Sequence, residues 1–127
     1  MKELKAFKVL CDETRMRIIN LLLKDEHCVC EIMQALDIPQ SKASRGLIAL
    51  HDSGFLKMRR EGLWSLYSLD EESIKGFRSR LIEAVGEVLK DKEIAMLDEE
   101  RLKKARRVGA RCIGASNEGK SLKAGIG

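Results

Sequence analysis

The hydrophobic period changes between residues 53 and 70, and that change limits the folds open to this chain. Ahead of it, apolar residues recur at helical spacing: Ile18, Ile19 and Leu22, then Val29, Ile32 and Leu36, then Ala43, Leu47 and Leu50. Residues 55–60 and 63–69 instead read as two strands with Glu61-Gly62 as the turn between them. Beyond, Ile74, Phe77, Leu81, Ala84 and Val88 return to a helical stripe, widened by Val85 and Leu89. The predicted order is a short helix over 2–10, helices over 12–24, 29–36 and 39–52, a β-hairpin, and a long helix from Asp70. Asp12 is its expected cap for the second helix, Pro39 the first residue of the fourth, Gly54 its left-handed stop, and Asp70 the cap of the long one. One proline and 4% aromatic residues speak against an all-β sandwich.

With 127 residues the chain suits one hydrophobic core. The expected division is a folded domain over 1–95, followed by a basic helical extension and flexible tail over 96–127. Helical character is expected to about Val108, with a break near Asp91. The run from Arg101 to Arg107 reads as a solvated helix or tail rather than a second DNA site. Charged residues make up 35%, so much of the chain is solvated surface. No apolar stretch approaches the roughly 18 residues of a membrane span. Met1-Lys2-Glu3 leads into no signal-peptide core, so the expected location is cytoplasmic and no membrane partner is expected. No glycine-rich phosphate loop and no Ser/His/Asp set is evident, so no catalytic residues are assigned and an enzyme is not expected.

Two short helices joined by a tight turn, the second with a small polar start, describe a helix-turn-helix, and the hairpin after it makes a winged helix. The fourth helix opens Gln40-Ser41-Lys42-Ala43-Ser44-Arg45. Gln40 and Arg45 carry paired hydrogen-bonding groups that match base edges in the major groove. Ser41, Ser44 and Lys42 suit phosphates, and Lys57, Arg59 and Arg60 at the hairpin tip suit flanking phosphates or a minor groove. Each of these residues alone reads equally as solvated surface; their order along the chain is what points to double-stranded DNA. A net charge of +4 is compatible with that partner.

Four cysteines in a cytosolic chain read as soft-ion ligands, redox thiols or core residues rather than a disulfide framework. Cys28 and Cys30 fall at the start of the third helix, where the helix dipole lowers thiol pKa. Thiolates favour soft metals and metalloids. Small buried core cysteines are the competing reading. Cys11 reads as a packed core residue, His27 as an exposed linker histidine and Glu31 as a first-turn acid complementing the dipole.

Leu10-Cys11-Asp12-Glu13-Thr14-Arg15, Cys28-Val29-Cys30-Glu31-Ile32, Gln40 to Arg45 and Ser53-Gly54-Phe55-Leu56 together resemble the ArsR/SmtB family of metal-sensing repressors, in its arsenical-responsive branch. The likeness covers roughly residues 4 to 90. It implies a homodimeric winged-helix repressor that leaves its operator when arsenic(III) or antimony(III) binds the thiols of Cys28 and Cys30. No permanently bound cofactor is implied. The alternatives are a cadmium- or lead-responsive repressor and a thiol redox-responsive one. In the family's related motif a third cysteine follows the second by three residues; here that position is Met33, a poor donor to arsenic(III). A third thiolate then comes from Cys112 or Cys11, or a solvent or small-thiol ligand takes its place. The long helix contains neither of the two histidines, His27 and His51, which argues against the zinc site that some members carry there.

If both cysteines were helical, positions i and i+2 would point about 200° apart and share an ion only after the first turn unwound. Dimerisation is expected through the first helix, with Leu4 and Phe7, and the long last helix. Gly46, inside the fourth helix, has two readings: close packing or a helix made easier to deform.

Overall fold

A computed structural model describes residues 1–107. The expected tail and Cys112 lie outside the described residues. The elements run α1 (Lys2–Leu10), α2 (Glu13–Leu21), β1 (His27–Cys28), α3 (Val29–Leu36), α4 (Gln40–Asp52), β2 (Leu56–Glu61), β3 (Trp64–Leu69), α5 (Phe77–Leu89) and α6 (Glu93–Lys104). This is a winged helix-turn-helix, as the change of period predicts.

Each boundary has a local cause. The Asp12 carboxylate accepts the Arg15 backbone N–H at 3.0 Å and starts α2. Asp37 ends α3 at φ +56°, a left-handed conformation that aspartate tolerates, while Ile38 N–H returns to the Met33 carbonyl. Pro39 is the cap of α4 rather than its first residue: it is extended, and its carbonyl accepts from Lys42 and Ala43. Gly54, at φ +87°, stops α4 as expected.

The core gathers Ile18, Ile19, Ile32, Leu47, Leu50 and Phe55, all fully buried, with Leu36, Ile82, Val85 and Leu89 around them. The sheet is antiparallel with order β1-β3-β2. Glu61 pairs with Trp64, so the hairpin loop is Gly62-Leu63. The small strand β1 has no counterpart among the predicted elements, because two residues show no periodicity. His27 faces Tyr67 and Cys28 faces Leu66 across the β1–β3 pair.

The long helix begins later than its acidic residues suggest. Asp70 caps only a local turn, accepting from the Ser73 backbone and hydroxyl, and the helix starts after Gly76. Its inward stripe is Ile82, Val85 and Leu89. Leu81, Ala84 and Val88 instead line an apolar groove with Phe7, Leu10, Cys11 and Met16. Cys11 is exposed, not a core residue, because it sits in the bend that closes α1.

Past the break at residues 90–92, α6 folds back onto α2 and α3. Arg17 and Asp98 form a buried two-bonded ion pair, 2.8 Å on each arm, and Arg17 also donates to the Leu36 carbonyl. The Asp98 hydrogen bond raises the Arg17 pKa against the opposing effect of burial. Arg101 joins the same cluster, donating to Asp98 at 3.3 Å and to the Ala35 carbonyl at 2.7 Å. The basic run is therefore not simply solvated. No helix among the described residues is long and apolar enough to cross a membrane.

Candidate effector site and nucleic-acid interface

Cys28 closes β1 and is the cap residue of α3, in extended conformation (φ −90°, ψ 171°), while Cys30 lies in the first helical turn. The opposed directions expected for two helical residues therefore do not arise. Leaving Cys28 outside the helix turns its side chain back, and the two Sγ atoms lie 2.7 Å apart. No unwinding is needed to bring the thiols together. Both residues are buried, at 0% and 1% exposure, in a small cluster with Leu66 and Trp64 set apart from the main core.

A charged rim surrounds this cluster. Glu31 accepts the Cys28 backbone N–H at 2.9 Å and lies 3.4 Å from His27 Nδ1. Burial raises its pKa, but the close approach of His27, the hydrogen bond from the Cys28 backbone and the charge of Arg107 outweigh burial and hold it at about 2. Glu31 thus does more than complement a dipole: it fixes the Cys28 backbone in a capping box. His27 is half-buried rather than an exposed linker residue, since β1 lies against β3.

The chain after α6 reaches the same rim. The Gln34 amide donates to the Cys30 carbonyl at 2.9 Å and to the Arg106 carbonyl at 2.7 Å, and it accepts the Arg106 N–H at 3.1 Å. Arg107 donates to Glu31 at 3.2 Å and stands over the Trp64 ring, 5.7 Å from its centroid. Burial lowers the Arg107 pKa, but the charge of Glu31 and its hydrogen bond outweigh burial and raise it. Gln34, Trp64 and Arg107 carry no signal in the sequence that ties them to the thiols; only the fold-back of α6 does so. Met33 packs on the main core, not in the thiol cluster. Among the described residues no group of three His, Cys, Asp or Glu could hold a metal ion, so neither Cys11 nor His27 completes such a set there. The donor set present is a pair of soft thiols in an apolar cluster, which suits a thiophilic metalloid that two sulfurs can hold.

On the other side of α3, helix α4 buries Ala43, Leu47 and Leu50 and leaves Ser41, Lys42 and Arg45 exposed, with Gln40 and Ser44 half-exposed. Those five side chains share the solvent side of the N-terminal half of α4. The wing divides its cations. Arg60 is exposed and 3.5 Å from the Ser65 hydroxyl, and Lys57 lies near the base of β2, paired with Ser68. Arg59 is engaged by Glu26 at 2.6 and 3.0 Å and by Glu61 at 2.8 Å. Glu26 immediately precedes β1, so this ion pair ties the wing to the strand that carries Cys28. His51 is exposed at the far end of α4, beside Asp52.

The winged helix-turn-helix fold places the chain in a class of small regulators, and two cysteines meet at the start of its third helix. Residues 12–57 match the model of the bacterial regulatory protein, arsR family. The arsenic resistance transcriptional regulator ArsR1 of Pseudomonas putida is 45% identical over 68 residues, which cover 53% of this chain and 53% of that protein. The arsenical resistance operon repressor of Bacillus subtilis is 34% identical over 76 residues, covering 59% of this chain and 72% of that protein. Among solved structures, the homodimeric winged helix-turn-helix DNA-binding domain of Mb0332 from Mycobacterium bovis, described as a possible ArsR-family regulator, aligns with a TM-score of 0.59. It is 28% identical, and the alignment covers 72% of this chain and 82% of that one. The chain belongs to the arsR family. It spans 53% to 59% of the length of three arsenic-resistance relatives that it matches.

Proposed function

We propose that this chain is a homodimeric, cytoplasmic transcriptional repressor that leaves its operator when arsenic(III) or antimony(III) binds Cys28 and Cys30. The observation that carries the reading is the buried thiol pair, 2.7 Å apart, at the junction of β1 and α3. Arsenous acid is a neutral trihydroxide. The two thiols replace two of its hydroxyls: two As–O bonds break, two As–S bonds form, and two waters leave carrying the thiol protons. The product keeps one hydroxyl and is three-coordinate, whereas a divalent cation on two thiolates needs further protein donors that the described residues do not group around the pair, which favours a metalloid.

A third thiol is assigned to Cys112, which replaces the remaining hydroxyl: one As–O bond breaks, one As–S bond forms and a third water leaves. Arg107 is anchored on Glu31 beside the pair, and Cys112 follows five residues later, within about 17 Å of extended chain. Cys11 is the less suited donor, since it sits at the end of α1 beside the α5 groove.

DNA is read by Gln40, Ser41, Lys42, Ser44 and Arg45, with Lys57 and Arg60 on flanking phosphates. Arg59 reaches DNA only by giving up Glu26 and Glu61. The dimer forms through Leu4 and Phe7, both 47% exposed, and the groove lined by Leu81, Ala84 and Val88. Two recognition helices then face a palindromic operator, half-sites about one helical turn apart or a multiple of it. Arsenic at the thiol pair displaces β1, which is paired to the wing through β3, and α3, which packs on α4. A coupling of about 1–3 kcal/mol is typical for such a two-state element.

The test is anisotropy of a labelled duplex from upstream of the gene, bound by reduced protein and titrated separately with arsenite, antimonite, cadmium, lead, zinc and peroxide. Release by the metalloids, lost in Cys28→Ser with DNA affinity retained, supports the proposal. Normal arsenite release from Cys28→Ser refutes it, and release by peroxide or cadmium alone transfers the thiols to the redox or divalent-cation alternatives.

A further inference from the structure

We infer that Gln34 and Arg107 decide the size of arsenical that reaches the thiol pair, by holding residues 105–107 as a strap across the pocket. The inference rests on the thiol-sensing reading and goes further, because it assigns a role in selection to two side chains that ligate nothing.

Gln34 is the positioning residue. One amide bridges two backbones, Cys30 on α3 and Arg106 on the strap, through three hydrogen bonds of 2.7 to 3.1 Å. Arg107 is the cover. Its guanidinium spans from Glu31, which caps the helix at Cys28, to the face of Trp64, which packs against the cluster that holds the cysteines. Glu31, Gln34 and Trp64 are all half-buried under this segment, and the thiols beneath are almost wholly shielded from solvent. Among the described residues, Trp64 Nε1 is buried without a hydrogen-bond partner, so the indole is held there by packing and by the cation above it.

A strap pinned by one amide and one guanidinium opens locally, without unfolding the domain. Arsenous acid, three hydroxyls on one atom, needs a small opening. A phenyl-substituted arsenical needs room for a ring as well, and the Trp64–Arg107 stack occupies the approach. The dihydroxide form of phenylarsine oxide binds by the same balance: two hydroxyls exchange for two thiols, two As–S bonds form and two waters leave. It needs no third ligand, so its reaction tests the strap independently of Cys112.

The experiment uses the full chain and its only tryptophan, Trp64, as the fluorescence reporter. Stopped-flow rates with arsenite and with phenylarsine oxide are compared in the native protein, Gln34→Ala and Arg107→Ala, after circular dichroism verifies that each variant is folded. Both variants are expected to react at least about tenfold faster with phenylarsine oxide, since the rate follows the population of the open strap. The arsenite rate is expected to change less than about threefold, because little opening limits it. Gln34→Glu keeps one acceptor for the Arg106 N–H and should fall between the native protein and Gln34→Ala. Unchanged phenylarsine oxide rates in both variants overturn the inference. An equal acceleration of both arsenicals also overturns it, because general loosening carries no size selection. Arsenite that leaves Trp64 fluorescence unmoved in every protein, with phenylarsine oxide still accelerated by the variants, supports the strap and refutes the inorganic inducer.

Discussion

Gly46 lies where α4 crosses α2, and the consequence of giving it a side chain can be worked from two opposed magnitudes. A helical glycine costs roughly 1 kcal/mol against alanine, so Gly46→Ala has that much to gain. A Cβ built there, however, falls 2.8 Å from Ile18 Cδ1, inside any normal contact. Ile18 is fully buried, so its end methyl has little room to retreat. Overpacking of this kind costs about 1–3 kcal/mol. The net expectation is a loss of up to about 2 kcal/mol. Ile18→Val removes the offending methyl and costs about 0.5–1.5 kcal/mol by itself. In that background Gly46→Ala should become stabilising by up to about 1 kcal/mol, so the sign of one substitution reverses with the other. Urea unfolding of the four proteins at one fixed concentration measures this, read as midpoints at constant slope. Equal destabilisation by Gly46→Ala in both backgrounds would refute close packing and leave helix deformability as the reason for the glycine.

Two further substitutions test the charges that hold α6 and α3. Asp98→Ala leaves the buried Arg17 guanidinium without its partner and should cost about 3–5 kcal/mol in the same assay, whereas Arg17→Met with Asp98→Leu should recover most of that loss. No recovery in the pair would mean that the ion pair itself, not an uncompensated charge, supplies the stability. Glu31 has a folded pKa of about 2 against an ordinary 4.5, so its contribution is fully present above the ordinary value and is lost as pH falls through the folded one. Glu31→Gln should therefore be less stable than the native protein near neutral pH, with the gap closing between pH 4.5 and 2 in acid-unfolding curves.

Periodic elements were readable from the chain because their burial repeats. The stripe Ala43, Leu47 and Leu50 predicts the face of α4 that packs inward, and therefore also the face bearing Ser41, Lys42 and Arg45. The alternation that ends in Leu69 predicts the hairpin for the same reason. Features without a repeat were not readable. Two residues of β1 show no period, yet they decide the chemistry of the site. Pairing Cys28 with Leu66 makes it a cap rather than a helical residue, and this converts two thiols expected to point apart into neighbours. The acidic run at residues 70–72 looks like a helix start but closes a separate turn, because the chain must descend from the wing before α5 can begin at Phe77.

The run Arg101 to Arg107 was misleading for a related reason. Charge density along a helix indicates solvated surface only when nothing folds back beneath it. Here one buried acid on α6, Asp98, meets a cation on α2, and that long-range pair, 81 residues apart in sequence, lays α6 along α3. The consequence reaches the site. With α6 docked, Arg101 bonds the last turn of α3 at Ala35 while Arg106 and Arg107 meet its middle and first turns at Gln34 and Glu31. The helix that bears Cys30 is thus held along its length by α6 and the strap that follows it. It is also fixed to α2, where Arg17 bonds the Leu36 carbonyl, and its remaining contacts are α4 on one side and the wing sheet, through β1, on the other. A change at the thiols cannot be absorbed in the direction of α6 without breaking buried charge pairs, which are costly to separate. The softer directions that remain are toward α4 and toward β1, where the Arg59–Glu26 pair is exposed and inexpensive to exchange for water or phosphate. Those two directions end at α4, the helix proposed to read DNA, and at the wing.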